Sequence, residues 1–318
     1  METNKRTVML CNLMLLGAAV IWGFCFLFQK DASESIGPAT FMAVRYFLGA
    51  TTIVPFIIFL ELKKKPEERT KYDSQTIKYI IKMASLFAII QMLNMVLNQA
   101  GIGYTTASKA AFLTATYMVM VPFLSYLFFK KKTPLMGWIG TFSGIIGIYF
   151  MSITGEFTIN PGDMLIVGSS VFAAMHLLLI TKIVQKIDGK HFICVEFYIA
   201  SLYCTVIAIL FEKPTLANII ECADSLFFAS VLGAGICYML MVTAQKYTDP
   251  TIGALLMSLE SLFGALAGIM FLGERFSARE LFGALLLSIS VVIAQLKPRD
   301  KIVIKTQHKS SEVQNGTK

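Results

Sequence analysis

The chain has 318 residues, 56% of them hydrophobic and 15% charged, with a formal net charge of +8 and a mean hydropathy of +0.67. A soluble domain carries about a quarter charged residues, so too few polar side chains remain to cover a water-facing surface, and lipid must be much of the solvent. The basic excess argues against a nucleic-acid partner, because Lys and Arg fall in short connectors and the tail instead of on one face of a soluble domain.

Read in chain order, Met1 to Thr7 is short and basic and runs straight into a long apolar stretch. That stretch is too long for a signal-peptide core and lacks a small-residue cleavage site, so an uncleaved first span is expected. A bilayer core of about 30 Å needs about 20 apolar residues per helix. Ten segments qualify: 8–29, 38–60, 77–101, 105–129, 134–152, 162–182, 191–211, 223–246, 250–272 and 278–296. Turn or charge signals separate them, among them Ile36-Gly37-Pro38, Lys63-Lys64-Lys65-Pro66, Lys130-Lys131-Lys132, Asn160-Pro161-Gly162, Asp188-Gly189-Lys190 and Asp249-Pro250. The tail from Lys297 is polar, basic and free of aromatics, and reads as a disordered segment able to touch anionic lipid.

Orientation follows from Lys and Arg in the short connectors. With the N-terminus inside, cytoplasmic segments hold 21 of the 28 basic residues, and external segments hold only Lys30, Lys213, Arg275 and Arg279. Both termini are expected in the cytoplasm, with the protein spanning the plasma membrane. Six scattered cysteines form no C-x-x-C pair and no metal pattern with His; they read as small buried hydrophobes. No metal or cofactor is expected.

An internal repeat is present. A shift of 151 places Gly17, Val20, Leu27, Phe41 and Val44 on Gly168, Val171, Leu178, Phe192 and Val195. A shift of 143 places Tyr104-Thr105 on Tyr247-Thr248, and Ala111, Leu113, Phe128, Gly140 and Ile146 on Ala254, Leu256, Phe271, Gly283 and Ile289. The expected organisation is an all-α polytopic membrane protein of ten transmembrane helices in two inverted five-helix repeats, 1–152 and 153–296, followed by the tail, 297–318. Five is odd, so the second repeat enters from the opposite side. Such repeats let one pattern take two packings and exchange them, which suits a transporter.

Several motifs resemble the EamA type of the drug/metabolite transporter superfamily. They are Val20-Ile21-Trp22-Gly23, Phe41-x-x-x-Arg45-Tyr46, Tyr104-Thr105-Thr106-Ala107-Ser108, Gly162-Asp163, Ser258-Leu259-Glu260, Leu272-Gly273-Glu274-Arg275 and Gly283. The similarity covers roughly residues 8 to 296. It departs at Ser261, where that family often has Pro after the Glu, which puts a helix kink there in doubt. The resemblance implies ten spans, cytoplasmic termini and gradient-linked movement of small metabolites, often export of amino acids, and does not give the substrate. Riboflavin-like and nucleoside-like solutes and lipophilic cations remain open.

Ionisable groups inside spans cost about 2.5–3.5 kcal/mol on insertion scales, so each needs a reason. Glu260 lies near the middle of an otherwise apolar ninth span. Burial disfavours the charged form of a carboxylate, which suits it to bind a proton or a cationic group in alternation; a hydrogen bond between helices is the other role it could have. His176, near the middle of span 6, is either a proton relay or a satisfied core residue. Trp22 either lines the same cavity or packs. In span 3, Gln91, Asn94 and Asn98 recur at i, i+3 and i+7 and share one helical face. That face must meet other helices or a wet cavity, because amides find no partner in hydrocarbon. Tyr117, the repeat equivalent of Glu260, and Tyr238 in span 8 are candidates to complete an aromatic lining.

Arg45 and Glu196 occupy equivalent repeat positions, but depths about 10 Å apart predict that they do not pair. Lys109 is expected at the interface, snorkelling. Glycines at 137, 140, 144, 147, 264 and 268 predict close helix approach, within the chain or in a homodimer. Two other classes were weighed. A passive channel would show rings of polar residues, and an intramembrane enzyme would need a nucleophile and base that Ser169, Ser170 and His176 do not supply by any motif. The expected partners are a small-molecule substrate and membrane lipid.

Overall fold

The computed structural model describes residues 5–130, 135–152, 160–183, 187–244, 247–248 and 250–295. The predicted tail from 297 and the basic positions 131, 132, 186 and 246 lie outside the described residues. All regular structure among the described residues is helical. Helices α1 (Lys5–Ala32), α2 (Pro38–Leu62) and α3 (Ser74–Tyr104) are followed by α4 (Ala107–Phe128) and α5 (Leu135–Ser152). Then come α6 (Pro161–Ile183), α7 (Gly189–Glu212), a short turn of helix at Leu216–Glu221, α8 (Ala223–Ala244), α9 (Pro250–Leu272) and α10 (Ala278–Gln295).

Helix is the form in which a chain in lipid satisfies its own backbone, and the polar connectors set where each rod begins. Asp73 accepts the Thr76 N–H at the start of α3, Thr106 accepts that of Lys109 in α4, and Asp188 accepts that of Lys190 in α7. Pro38 opens α2, where a missing N–H costs nothing. Gly273, at φ +65°, ends α9 in the left-handed region that glycine enters freely.

Among the described residues, eight helices, α1 to α8, are long and apolar enough to cross a membrane. The tenfold expectation therefore meets eight spans by this measure, with α9 holding a shorter apolar stretch, Leu256–Leu272. Large apolar side chains face outward along the rods, Phe211, Met270 and Leu202 among them, a surface that only lipid or a partner would cover.

Three predicted spans differ internally. α4 breaks at Ala115 into Ala107–Thr114 and Thr116–Phe129. α7 ends in a π-helical turn, Ala208–Glu212, and α8 carries a π-helical stretch, Phe228–Ile236. α2 runs through Pro55 without interruption.

The rods pair α1 with α9, α3 with α6, α2 with α7 and α5 with α10; α8 lies on α1 and α2, α7 also on α3, and α4 on α6 and α9. Close approach depends on glycine at several crossings, the α1–α9 and α5–α10 contacts among them. A Cβ on Gly23 would stand 2.9 Å from the Glu260 carbonyl oxygen, and one on Gly283 would stand 2.8 Å from that of Gly147. The glycine face of α5 is thus used against α10 of the same chain. All six cysteines are free and buried.

Most polar ties between helices gather at the end where α1 turns into α2. Glu212 accepts the N–H groups of Ala39 (2.8 Å) and Thr40 (2.7 Å) at the start of α2. Glu274 does the same for Ala107 (2.7 Å) and Ser108 (2.8 Å) at the start of α4. Lys109 corrects the snorkelling expectation: it is buried, and its Nζ lies 2.8 Å from Asp163 Oδ2 and 3.5 Å from Glu280 Oε1. Thr105 donates to the other Asp163 oxygen at 2.6 Å. A partner on α6 removed the need to reach for the interface.

Candidate functional site

Trp22, Cys25 and Gln29 fall at i, i+3 and i+7 of α1 and so share a face. That face meets α8, α2 and α9 at the centre of the bundle. Trp22 donates its indole N–H to the Gly233 carbonyl at 2.7 Å. Gly233 belongs to the π-helical stretch of α8; a π register leaves the i→i−4 ladder, and such bulges recur at functional sites. The position is crowded, since a Cβ there would fall against Cys25 Sγ and 3.7 Å from Arg45 Nη2.

Aromatic rings continue inward. Trp22 meets Tyr238 edge-on at 5.4 Å, Tyr238 meets Phe197 at 5.0 Å, and Phe197 meets Tyr46 at 5.0 Å. Glu260 completes the group from α9. Its side chain is only 7% exposed, and it forms no hydrogen bond or ion pair with any described residue. Tyr117, Tyr238, Cys25 and Cys237 all lie within electrostatic reach of its carboxylate. Burying an unpaired charge costs several kcal/mol, so Glu260 is held neutral or is matched by something that enters the site.

Of the residues singled out in the sequence, Trp22, Tyr117, Tyr238 and Glu260 are therefore brought around one point. Gln91 borders the group beside Tyr238, and it accepts from Asn94 at 3.3 Å. Asn98 points elsewhere, donating to Thr114 at 2.9 Å and Ser169 at 3.5 Å, where it joins α3 to α4 and α6. All three amides are buried, 2–4% exposed, so the shared face is interior. His176 does not touch Glu260; its Nε2 lies 2.6 Å from Glu196 Oε1.

Arg45 and Glu196 form no bond with one another. Arg45 is buried and donates to Gln29 Oε1 at 2.9 Å, and Gln99 donates to the Gln29 carbonyl at 2.8 Å. Gln29 escaped the sequence reading. Its signal was an amide one helical turn beyond Cys25, on the face that already carried Trp22. Two cavities of about 200 and 210 Å³ lie off this centre, one against Asp163 and Met164 and the other against Phe128 and Met175; neither is lined by Glu260. Among the described residues, no group of three or more His, Cys, Asp or Glu is placed to hold a metal ion.

A bundle of apolar rods with an enclosed, charged and aromatic centre defines a multi-pass membrane protein of the transporter class. The chain belongs to the EamA-like transporter family, whose profile matches it twice, over residues 9–153 and 160–295. It is 26% identical over 291 residues to an uncharacterized transporter of Archaeoglobus fulgidus, covering 90% of this chain and 86% of that one. It is 20% identical to the uncharacterized transporter YoaV of Bacillus subtilis, over 87% of this chain and 94% of YoaV. A solved crystal structure superimposes with a TM-score of 0.61 at 12% identity, covering 90% of this chain and 98% of the other, which speaks to the fold alone.

Proposed function

We propose that the protein is a secondary-active carrier that exports amino acids or related small metabolites by alternating access, through a site centred on Glu260. One observation carries this reading: a buried carboxylate with no partner among the described residues, ringed by Trp22, Tyr117 and Tyr238 where α1, α4, α8 and α9 converge. A proton and a cationic group of the solute would occupy it by turns, and the rings would hold the solute's apolar part.

Ten spans in two inverted halves supply the motion. The packing supports this. Exchanging α1–α5 with α6–α10 turns the α1–α9 contact into α6–α4 and α3–α6 into α8–α1, while α2–α7 and α5–α10 map onto themselves. Each of those pairings is present. The distribution of Lys and Arg supports cytoplasmic termini and a plasma-membrane location.

The test begins with a thermal-shift screen of the purified protein against pooled metabolites, and continues with flux of the hits in proteoliposomes. Saturable, gradient-dependent flux that is lost in a folded Glu260→Gln variant is the expected result. Flux linear in concentration would indicate a channel, and full activity in Glu260→Gln would remove the site.

A further inference from the structure

A further buried ionisable centre is separate from both Glu260 and the Lys109–Asp163 pair. His176 on α6 and Glu196 on α7 meet at 2.6 Å between Nε2 and Oε1. Glu196 is fully buried, and its other oxygen, Oε2, has no partner. The His176 side chain keeps 15% exposure, and its ring stands edge-on to Phe87 of α3 at 5.8 Å. A structural hydrogen bond would normally satisfy both carboxylate oxygens; this one leaves half of its acceptor unused in an apolar setting.

The charges on the surrounding helices are engaged elsewhere or lie at the surface. On α2, Arg45 is held by Gln29, and Tyr46 lies in electrostatic reach of Glu196. On α8, Tyr238 does too. On α3 the polar neighbours along the same rod are the uncharged Gln91 and Asn94, and Lys82 is exposed. On α4, Lys109 is taken by Asp163 of α6, and Tyr117 faces Glu260. On α6 itself Lys182 is exposed, and at the start of α7 Lys190 and His191 lie against Asp188.

The arithmetic of charge then assigns a role. With one proton the pair is neutral overall, whether that proton sits on the imidazole or the carboxyl. Without it, the pair carries a net negative charge; with two, a net positive one, and neither has a counter-ion within the packed helices. Charge balance within this packing is therefore met by one proton shared between the two side chains. α6 and α7 each pack on α3 and hardly on one another, so the two side chains bridge them, and a small shift of either helix along α3 would admit water between them.

Resting on the carrier reading above, we propose that His176 and Glu196 form a proton-loading site of the transporter, distinct from the solute site at Glu260. On such a shift, the proton leaves Nε2 or Oε1 on a water molecule as hydronium, and the carboxylate left behind is solvated by the water that entered. Repacking restores one proton from the opposite side. Tyr238 is in electrostatic reach of Glu196, Glu260 and Arg45 together, and so links occupancy of one site to that of the other.

The probe is the proton. Infrared difference spectra of the full chain in phospholipid vesicles are recorded as the bath is stepped from about pH 8 to about pH 5, bracketing the ordinary imidazole value. A carboxyl C=O band that rises and falls with the bath, shifts in heavy water and vanishes in Glu196→Gln is expected. His176→Gln should move that band, and Glu260→Gln should leave it in place. A merely structural bond would hold its protons throughout and give no such band. If wild-type protein shows no titrating band that Glu196→Gln removes, and His176→Gln changes nothing, the proposal is overturned. Loss of flux in Glu260→Gln is read separately, so failure of the carrier reading stays distinct.

Discussion

Trp22 on α1 and Gly233 on α8 are joined by one hydrogen bond of 2.7 Å, from an indole N–H to a carbonyl inside a π-helical stretch. The bond ties the helix that lies along α9 to the helix that lies along α2, beside Glu260, which has no partner among the described residues.

Trp22→Phe would keep a ring against Tyr238 and remove only the donor. Leaving a part-buried carbonyl unpaired costs about 1–3 kcal/mol. The expected outcome is a folded protein with a lower midpoint of thermal unfolding and a larger relative loss of flux than of stability. Equal flux per folded molecule would make Trp22 a packing residue.

The pair Lys109–Asp163 is buried on both sides, with side chains 8% and 0% exposed. Removing one partner of such a pair strands the other charge and costs about 3–5 kcal/mol, whereas replacing both by apolar groups is often close to neutral. Lys109→Met should therefore unfold in detergent at clearly lower temperature than wild type, and Lys109→Met with Asp163→Leu should recover most of the difference. Non-recovery would point to a role beyond charge matching, since Glu280 and Thr105 also meet this cluster.

Asp188 lies in the connector between α6 and α7. The His191 imidazole 3.6 Å away, followed by the Lys190 N–H bond and the Lys190 charge, holds this carboxyl well below the usual carboxylate range against the opposing effect of burial. A depressed value in the folded state means the contribution is complete above the ordinary carboxylate value of about 3.9 and drains away as the pH falls through the lowered one. The gap in unfolding temperature between wild type and Asp188→Asn should be constant from about pH 7 to about pH 5 and close progressively below about pH 4. A gap that widens in acid would contradict the assignment.

The apolar rods and the break at Asp188-Gly189-Lys190 were legible because hydropathy and turn chemistry are local properties of the chain. So was the interior face of Gln91, Asn94 and Asn98, since three amides on one face have nowhere else to go. The break at Ala115 and the π-helical parts of α7 and α8 were not, because apolar composition is blind to which carbonyl each N–H selects. Lys109 misled for a related reason: its counter-ion stands on another helix, and no pattern within α4 announces it. His176 with Glu196 was hidden in the same way. Each was singled out alone, and only the packing of both α6 and α7 on α3 makes them a pair.

Glu212 and Glu274 carry the last prediction. The first N–H groups of any helix lack intrahelical acceptors, and a carboxylate there gains from both charge-assisted bonding and the helix dipole. Each of these carboxylates follows a helix of the second half and closes on a helix of the first half, at the same end of the bundle. They would have to release before that end could open. A glutamine can accept one of the two N–H bonds but brings no charge, a loss of up to about 2 kcal/mol in a favourable, partly buried site, or as much as about 30-fold in a two-state equilibrium. Alkylation of Cys25, buried beside Gly233, by an impermeant maleimide applied from that end should rise in Glu274→Gln and rise further when Glu212→Gln is added. Glu61→Gln, whose carboxylate meets Lys64 and Thr70 at the far end, should leave it unchanged. Because Cys25 lies beside Trp22 and Gly233 at the proposed site, its labelling reports access to that site, which distinguishes a released end from a merely frayed helix terminus.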